Sequence, residues 1–391
     1  MVDATAEQLH WNQLRKQLLL DEKPSDFYHV TKTQLGLHST DYWTPYLSAW
    51  ARLGDYDAKA VFESIDNGRE LVRTHAFRTT LHVMHVDNLS LILSATGPAL
   101  FRAYRTDKYR KVDLLSDSEI EAMLNKVKSC LEEGPLKTTE LKKMLPDVGE
   151  HVRSAILMLM ARGEVVRAKA KHARSNLTSY ALIDKWVKGF KLKLVDEQKA
   201  VTQIIGKHIE RFGPASVDDI AWWMRLTKTT VKDSLQQLGE DVVSITEGES
   251  EKLMMREDFE AAASLSVPKE DLVWFLPYED HFLKAYIDRS RFIDEDIQTK
   301  ISPADRKHFW PSNPDAPQKM PSKGLRATGE VRPTIWLNGR VIGRWEMDDD
   351  KKLKRVVVSL YSKTSKSQKD MIEDIRNRLE SFINTSLMPI S

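Results

Sequence analysis

Apolar and polar positions along this chain follow two textures that meet near residue 270. Before that point apolar residues recur at helical spacing in blocks separated by short alternating runs; after it the alternating runs dominate. Residues 5–20 carry an amphipathic pattern through Leu9, Gln13, Leu14 and Leu18, which Pro24-Ser25 ends. Ser39-Thr40-Asp41 supply cap residues ahead of an aromatic-rich helix over 43–52, and Asp57 caps a second helix over 58–65. Leu71-Val72-Arg73-Thr74 and Thr80-Leu81-His82-Val83-Met84 flank a basic turn and predict a hairpin.

The same order recurs twice more. Residues 118–131 are amphipathic, 138–144 form a short helix, 150–162 a second one, and a hairpin runs from Val165 through Lys169, Lys171 and Arg174 to Leu182. Helices over 197–211, 217–224 and 228–238 then precede a hairpin around Glu247, Glu249 and Glu251. Glu133-Gly134-Pro135-Leu136-Lys137-Thr138-Thr139-Glu140-Leu141 returns as Phe212-Gly213-Pro214-Ala215-Ser216-Val217-Asp218-Asp219-Ile220, 79 residues later. Helix, short helix, second helix and hairpin is the order of a winged helix-turn-helix, a module that carries its second short helix into a nucleic-acid groove. Beyond residue 272, strands at 273–276, 334–337, 341–345 and 356–360 are separated by turn residues, among them Asn338-Gly339, and by a loop with prolines at 311, 314, 317 and 321. A helix over 368–383 closes the pattern.

The predicted fold is therefore mainly α with β wings: three tandem winged helix-turn-helix units and a C-terminal β-barrel-like domain. The divisions are 1–112 (N-terminal helix and a divergent first unit), 113–190, 191–265 and 266–391.

At 391 residues with 41% hydrophobic and 30% charged residues, the composition is that of a folded chain of several domains. No apolar run approaches a bilayer span, the start lacks a basic-then-apolar leader, and the single cysteine, Cys130, excludes an internal disulfide. These features predict a reduced, cytoplasmic setting. The net charge of +2 says little, but its distribution says more. Residues 167–193 hold eight basic groups against Asp184, whereas 240–260 hold eight acids against Lys252 and Arg256. Phosphates are drawn to the Lys169–Arg174 hairpin and repelled by the Glu247–Glu251 one. Duplex DNA is the expected partner, met by Arg102 and Arg105 of an aromatic-and-cation stretch, Arg153 of the candidate recognition helix, and Arg167, Lys169, Lys171 and Arg174 of the basic hairpin; a solvated hairpin is the plainer alternative. Three unequal units on one chain argue for a monomer. His82 and His85, three apart on a strand, face opposite sides, so no metal site is expected, and no cofactor motif is present.

The pieces resemble the AlkZ/YcaQ-like winged-helix DNA glycosylases over nearly the full length. The likeness rests on Leu35-Gly36-Leu37-His38-Ser39-Thr40-Asp41 followed by Leu47-Ser48-Ala49-Trp50-Ala51-Arg52; on Leu71-Val72-Arg73-Thr74 with Arg78-Thr79-Thr80-Leu81-His82; on Leu276-Pro277-Tyr278-Glu279-Asp280 with Arg289; and on Asn338-Gly339-Arg340-Val341-Ile342-Gly343-Arg344-Trp345. The resemblance implies winged helices forming a cleft and an enzyme that excises alkylated purines. Such enzymes carry Gln-apolar-Gln or Gln-apolar-Asp where this chain has His38-Ser39-Thr40. In their place His38 is the candidate water activator, Thr40 its orienter and Asp41 the electrostatic stabiliser. The competing reading makes one of Ser39, Thr40 and Asp41 a helix cap and His38 a packed residue, in a non-catalytic DNA-binding protein that acts as a regulator or lesion sensor.

Overall fold

The computed structural model describes residues 4–20, 23–67, 70–108, 111–170, 178–247, 250–301, 331–348 and 353–390. The proline-rich loop and the hairpin residues Lys171 and Arg174 lie outside the described residues. Contacts gather the chain into two units, each assembled from separated segments: Thr31–Tyr42 with Lys59–Ile204, and Met1–Val30 with Trp43–Ala58 and Ile205–Ser391. They are called here the six-strand and the four-strand unit. No helix among the described residues is long and apolar enough to cross a membrane.

In the six-strand unit, β1 (Leu37–His38), β2 (Leu71–His75), β3 (Leu81–His85), β4 (Leu136–Lys137), β5 (Val165–Ala170) and β6 (Thr178–Leu182) form an antiparallel sheet ordered β1-β3-β2-β5-β6-β4. The predicted hairpins β2–β3 and β5–β6 meet at one register pair, Arg73 opposite Arg167. Strand alternation sends Leu81, Val165 and Leu182 into a core shared with the helices Asp117–Leu131 and Val152–Ala161. The second of these covers most of the expected recognition helix. Eight of its ten residues are buried, from Val152 to Ala161, leaving Arg153 exposed and Leu157 half-buried. A helix that is apolar nearly all round is a core rod rather than a groove reader. It crosses the helix Val86–Arg105 so closely that a Cβ at Gly97 would collide with the Ala161 carbonyl oxygen.

The four-strand unit holds the hairpin β7 (Val242–Glu247) and β8 (Ser250–Met255), and a sheet of β9 (Val273–Leu276), β10 (Thr334–Leu337), β11 (Arg340–Asp348) and β12 (Arg355–Leu360) ordered β12-β11-β10-β9. Asn338 and Gly339 link β10 to β11 with φ of +52° and +79°, the left-handed pair that a two-residue turn requires. The sheet stays open, with β12 and β9 at its edges, and the helix Lys366–Phe382 packs against both of them. The barrel expectation is corrected accordingly: among the described residues the sheet does not close, and a helix packs against its edge strands.

The first helix, Ala6–Lys16, buries polar residues where the periodicity sought apolar ones. Gln13 Nε2 donates to the Phe212 carbonyl at 2.9 Å, Asn12 Nδ2 to the Asp258 carbonyl at 3.2 Å, and Lys16 Nζ to the Gly213 carbonyl at 3.2 Å and the Asp258 carboxylate at 2.6 Å. These bonds satisfy backbone carbonyls that close packing would otherwise leave without water.

The central bond of this unit joins Arg52 to Asp280, both fully buried. The guanidinium reaches the two carboxylate oxygens at 3.0 and 3.1 Å, and Ser48 Oγ donates to the same carboxylate at 2.7 Å. Burial alone would raise the Asp280 pKa, but the charge of Arg52, then that of His281, hold it well below the usual carboxylate range. Asp66 is the opposite case. It accepts the Ala170 N–H at 3.3 Å, and burial lifts its pKa to about 6 against the pull of that bond and of Arg73 and Lys169.

Two stability predictions follow the signs of these shifts. Asp280→Asn strands a buried guanidinium and should cost about 3–5 kcal/mol in urea unfolding at pH 7; because the native pKa is depressed, that deficit should shrink as pH falls below the unfolded carboxylate value near 4. A loss under 1 kcal/mol on the urea curve would remove the pair from its central place. For Asp66 the native pKa is raised, so its ionisation destabilises the fold progressively from about pH 4 to pH 6. Asp66→Asn, which keeps an acceptor for Ala170, should gain up to about 2 kcal/mol over wild type at pH 8 and little at pH 4; parallel pH–stability curves would refute this.

Candidate active site around His38

The chain enters this site through two left-handed residues, Leu35 and Gly36, with φ of +58° and +102°. A Cβ at Gly36 would sit 3.0 Å from Met84 Cγ and 3.1 Å from the Val83 carbonyl, so glycine lets β1 lie against β3. That pairing places His38 directly opposite His82. The Ser39 N–H then donates to the Leu81 carbonyl at 2.7 Å, which fixes the start of the turn.

His38 is 2% exposed, and its Nε2 lies 3.2 Å from Oγ1 of Thr40, which is exposed. The buried imidazole thus meets the hydroxyl of an exposed residue. The His82 ring meets His38 edge-on, centroids 5.5 Å apart at 86°, and Phe77 meets His82 at 5.7 Å and 90°. His82 Nδ1 lies 3.1 Å from the Thr80 carbonyl, which can only accept, so that nitrogen carries the proton. The turn between β2 and β3 holds Arg78 and Thr79 at φ of +54° and +61°, conformations that cost bulky residues energy and gather at functional sites. Asp41 is half-buried and next in the turn.

Tyr42 fastens the far end. Arg73, 2% exposed, lies 4.3 Å over its ring, and its hydroxyl accepts from Arg167 Nη1. Arg167 also sits 5.9 Å from the Tyr180 ring. Two like charges held opposite each other across β2 and β5 are thereby spread over aromatic faces. Beside them His75 Nδ1 lies 2.6 Å from the Tyr104 hydroxyl, and burial, then the charge of Arg167, lowers its pKa to about 3. His75 is therefore uncharged at neutral pH. The residues 39–41 are held at one end by the β1–β3 pairing and at the other by Tyr42.

The N-cap position of the following helix falls on Trp43, after Ser39, Thr40 and Asp41. Thr44–Leu53 begins at Trp43, which makes no side-chain cap bond, while Thr44 Oγ1 donates to the Tyr278 carbonyl at 2.8 Å. His38, Thr40 and Asp41 stay together in one turn, and directly opposite His38 lies His82, a residue that the sequence offered as part of the family likeness and as a weighed metal ligand, with no role at this turn. Its signal is the strand register, which a two-residue β1 cannot advertise. No group of three His, Cys, Asp or Glu able to hold a metal occurs among the described residues.

The candidate DNA contacts separate into kinds. Arg153 and Lys169 are exposed. Arg102 is exposed with its Nη2 3.3 Å from Glu197. Arg105 turns back on its own chain, donating to the carbonyls of Val112 at 3.0 Å and Leu115 at 2.7 Å, which locks the end of its helix. Arg167 points into the sheet, as described, and Lys171 and Arg174 fall outside the described residues.

Chemically, an imidazole beside a hydroxyl can receive a proton relayed from bound water, and a neighbouring carboxylate can favour positive charge nearby. Comparison with known proteins bears on the substrate. A family model described as DNA glycosylase AlkZ-like matches residues 33–382. No curated protein matches the chain. Among solved structures, the Streptomyces sahachiroi DNA glycosylase AlkZ shares the fold with a TM-score of 0.77 at 16% identity, over 98% of this chain and 97% of that one. The family match takes in the His38 turn, both units and the terminal helix, so the chain belongs to the AlkZ-like DNA glycosylase family.

Proposed function

We propose that this chain is a monofunctional DNA glycosylase that hydrolyses the N-glycosidic bond of N7-alkylated purines in duplex DNA, as a monomer, with His38, Thr40 and Asp41 as its catalytic set. The observation that carries the reading is the buried imidazole of His38 lying 3.2 Å from the hydroxyl of Thr40, an exposed residue. In this reading the three helix-rich segments with their hairpins, 1–112, 113–190 and 191–265, act as winged helix-turn-helix units that hold the duplex, and 266–391 is a further β-rich domain.

An N7-alkylated purine already carries positive charge, so its departure needs little protonation. The C1′–N9 bond breaks with its electron pair passing to the purine, and positive charge builds on the sugar. A water oxygen bonds C1′ while its proton passes to Thr40 Oγ1, whose own proton moves to His38 Nε2. The Asp41 carboxylate favours the cationic sugar by charge. His82, protonated at Nδ1 toward Thr80, keeps the His38 ring edge-on to it. The non-catalytic reading draws on one observation, the burial of His38 at 2% exposure.

Release of free 7-methylguanine from a purified duplex under single-turnover conditions separates the two. Wild type should release base, and His38→Ala should slow release by about 100-fold with duplex affinity unchanged. Intact duplex binding without release by wild type would establish the binding-protein reading instead. Reversing Lys169, Lys171 and Arg174 to Glu should weaken duplex binding and flatten its salt dependence by about one slope unit per lost phosphate contact; an unchanged titration would remove the β5–β6 hairpin from the interface.

A further inference from the structure

Beyond β6 the chain is fastened to the six-strand unit as a strap. The Lys193 N–H donates to Ser90 Oγ at 3.1 Å and the Val195 N–H to Ser94 Oγ at 3.0 Å, both hydroxyls on the helix Val86–Arg105. The match is geometric. Residues four apart on a helix are separated by about 6 Å along its axis, and N–H groups two apart on an extended chain by about 6.6 Å. Ser94 Oγ donates in turn to the Ser90 carbonyl at 2.8 Å, so its orientation is set. Leu192 is pressed inward, where a Cβ on Gly163 would come within 2.7 Å of it.

With Leu192 half-buried and facing in, Lys191 and Lys193 face out, and Lys188 is exposed as well. Between residues 185 and 195 there is no acid. The acids that follow are occupied: Asp196 accepts the Lys199 N–H at 3.0 Å and Glu197 meets Arg102 at 3.3 Å. Lys185 is spent on Glu132 at 3.3 Å, whereas Lys188, Lys191 and Lys193 have no ion-pair partner among the described residues.

We propose that this strap is a phosphate-binding track for duplex DNA, with Lys188, Lys191 and Lys193 contacting the backbone in addition to the β5–β6 hairpin. The proposal rests on the reading that duplex DNA is the substrate. A polyanion is the occupant that the charge pattern selects, because each ammonium group on its flexible stem can meet a phosphate without fixed geometry. Fastening the backbone to Ser90 and Ser94 reduces the freedom that such contacts would otherwise remove on binding. The track carries no sequence information, which suits an enzyme that must scan DNA.

The test is equilibrium binding of the full chain to an undamaged duplex between 50 and 200 mM salt. The variant Lys188→Ala/Lys191→Ala/Lys193→Ala should lower the slope of log K against log salt by about 2–3 and weaken binding about 10- to 100-fold near 100 mM salt. Ser90→Ala/Ser94→Ala keeps every charge but unfastens the strap, and should weaken binding about fivefold with the thermal transition still cooperative. An unchanged slope in the lysine variant, or no duplex binding by wild type, overturns the proposal; wild-type affinity in the serine variant overturns the role given to the fastening. Base release measured on the same samples keeps the two readings apart: a wild type that binds with a steep slope but releases nothing loses the glycosylase mechanism and retains the strap.

Discussion

The bond between Arg52 and Asp280 is the contact on which the four-strand unit depends. A carboxylate and a guanidinium taken wholly out of water must satisfy each other, and their remaining hydrogen bonds decide what else may lie nearby. Here Arg52 also donates to the carbonyls of Gln17 at 2.9 Å and Ser48 at 2.8 Å, so one side chain joins the end of the first helix, its own helix and the segment after β9. That segment is fixed from its other side as well. Glu279, at φ +59°, exchanges bonds with the Val331 backbone, and its carboxylate takes Lys284. Two stretches that read in sequence as separate family signatures, Leu47–Arg52 and Leu276–Asp280, are thus two halves of one buried ionic node.

The six-strand unit solves a related problem by different means. It places Arg73 opposite Arg167 at the seam between its two hairpins and sets the pair against the ring and hydroxyl of Tyr42 and the ring of Tyr180. Aromatic faces lower the electrostatic cost while keeping both arginines charged. Because Tyr42 follows the His38 turn directly, the seam that joins the hairpins also sets where the turn ends. The turn that holds His38, Thr40 and Asp41 is positioned by contacts that are themselves structural, and His75, held neutral nearby, adds no further charge to the arrangement.

What was legible in the sequence was local. The helices Thr138–Met144, Val217–Met224 and Lys228–Leu238 and the strands Val273–Leu276 and Thr334–Leu337 lie where periodicity placed them, because each has its own cap or turn signal. Ser216 and Thr227 cap the two helices they precede, and Asn338-Gly339 sets the β10–β11 turn. Legibility failed wherever burial contradicted residue type. Asn12 and Lys16 are interior groups that a hydrophobic pattern cannot find, and Val152–Ala161 reads as a recognition helix by order alone, although its apolar circumference puts it in the core. Arg105 and Arg167 counted as surface cations until their guanidinium groups were seen to be taken up within the fold.

By itself the sequence determined the helix and hairpin order, the repeated Gly-Pro unit, the uneven charge and the residues of the His38 turn, since each is written in a short window of chain. The tertiary structure decided how Arg52 finds Asp280, how His38 comes to face His82, and which cations remain available to a partner. Those outcomes depend on pairings between residues tens to hundreds of positions apart, and on the desolvation of charges, which is a property of the assembled surroundings and not of any window of sequence.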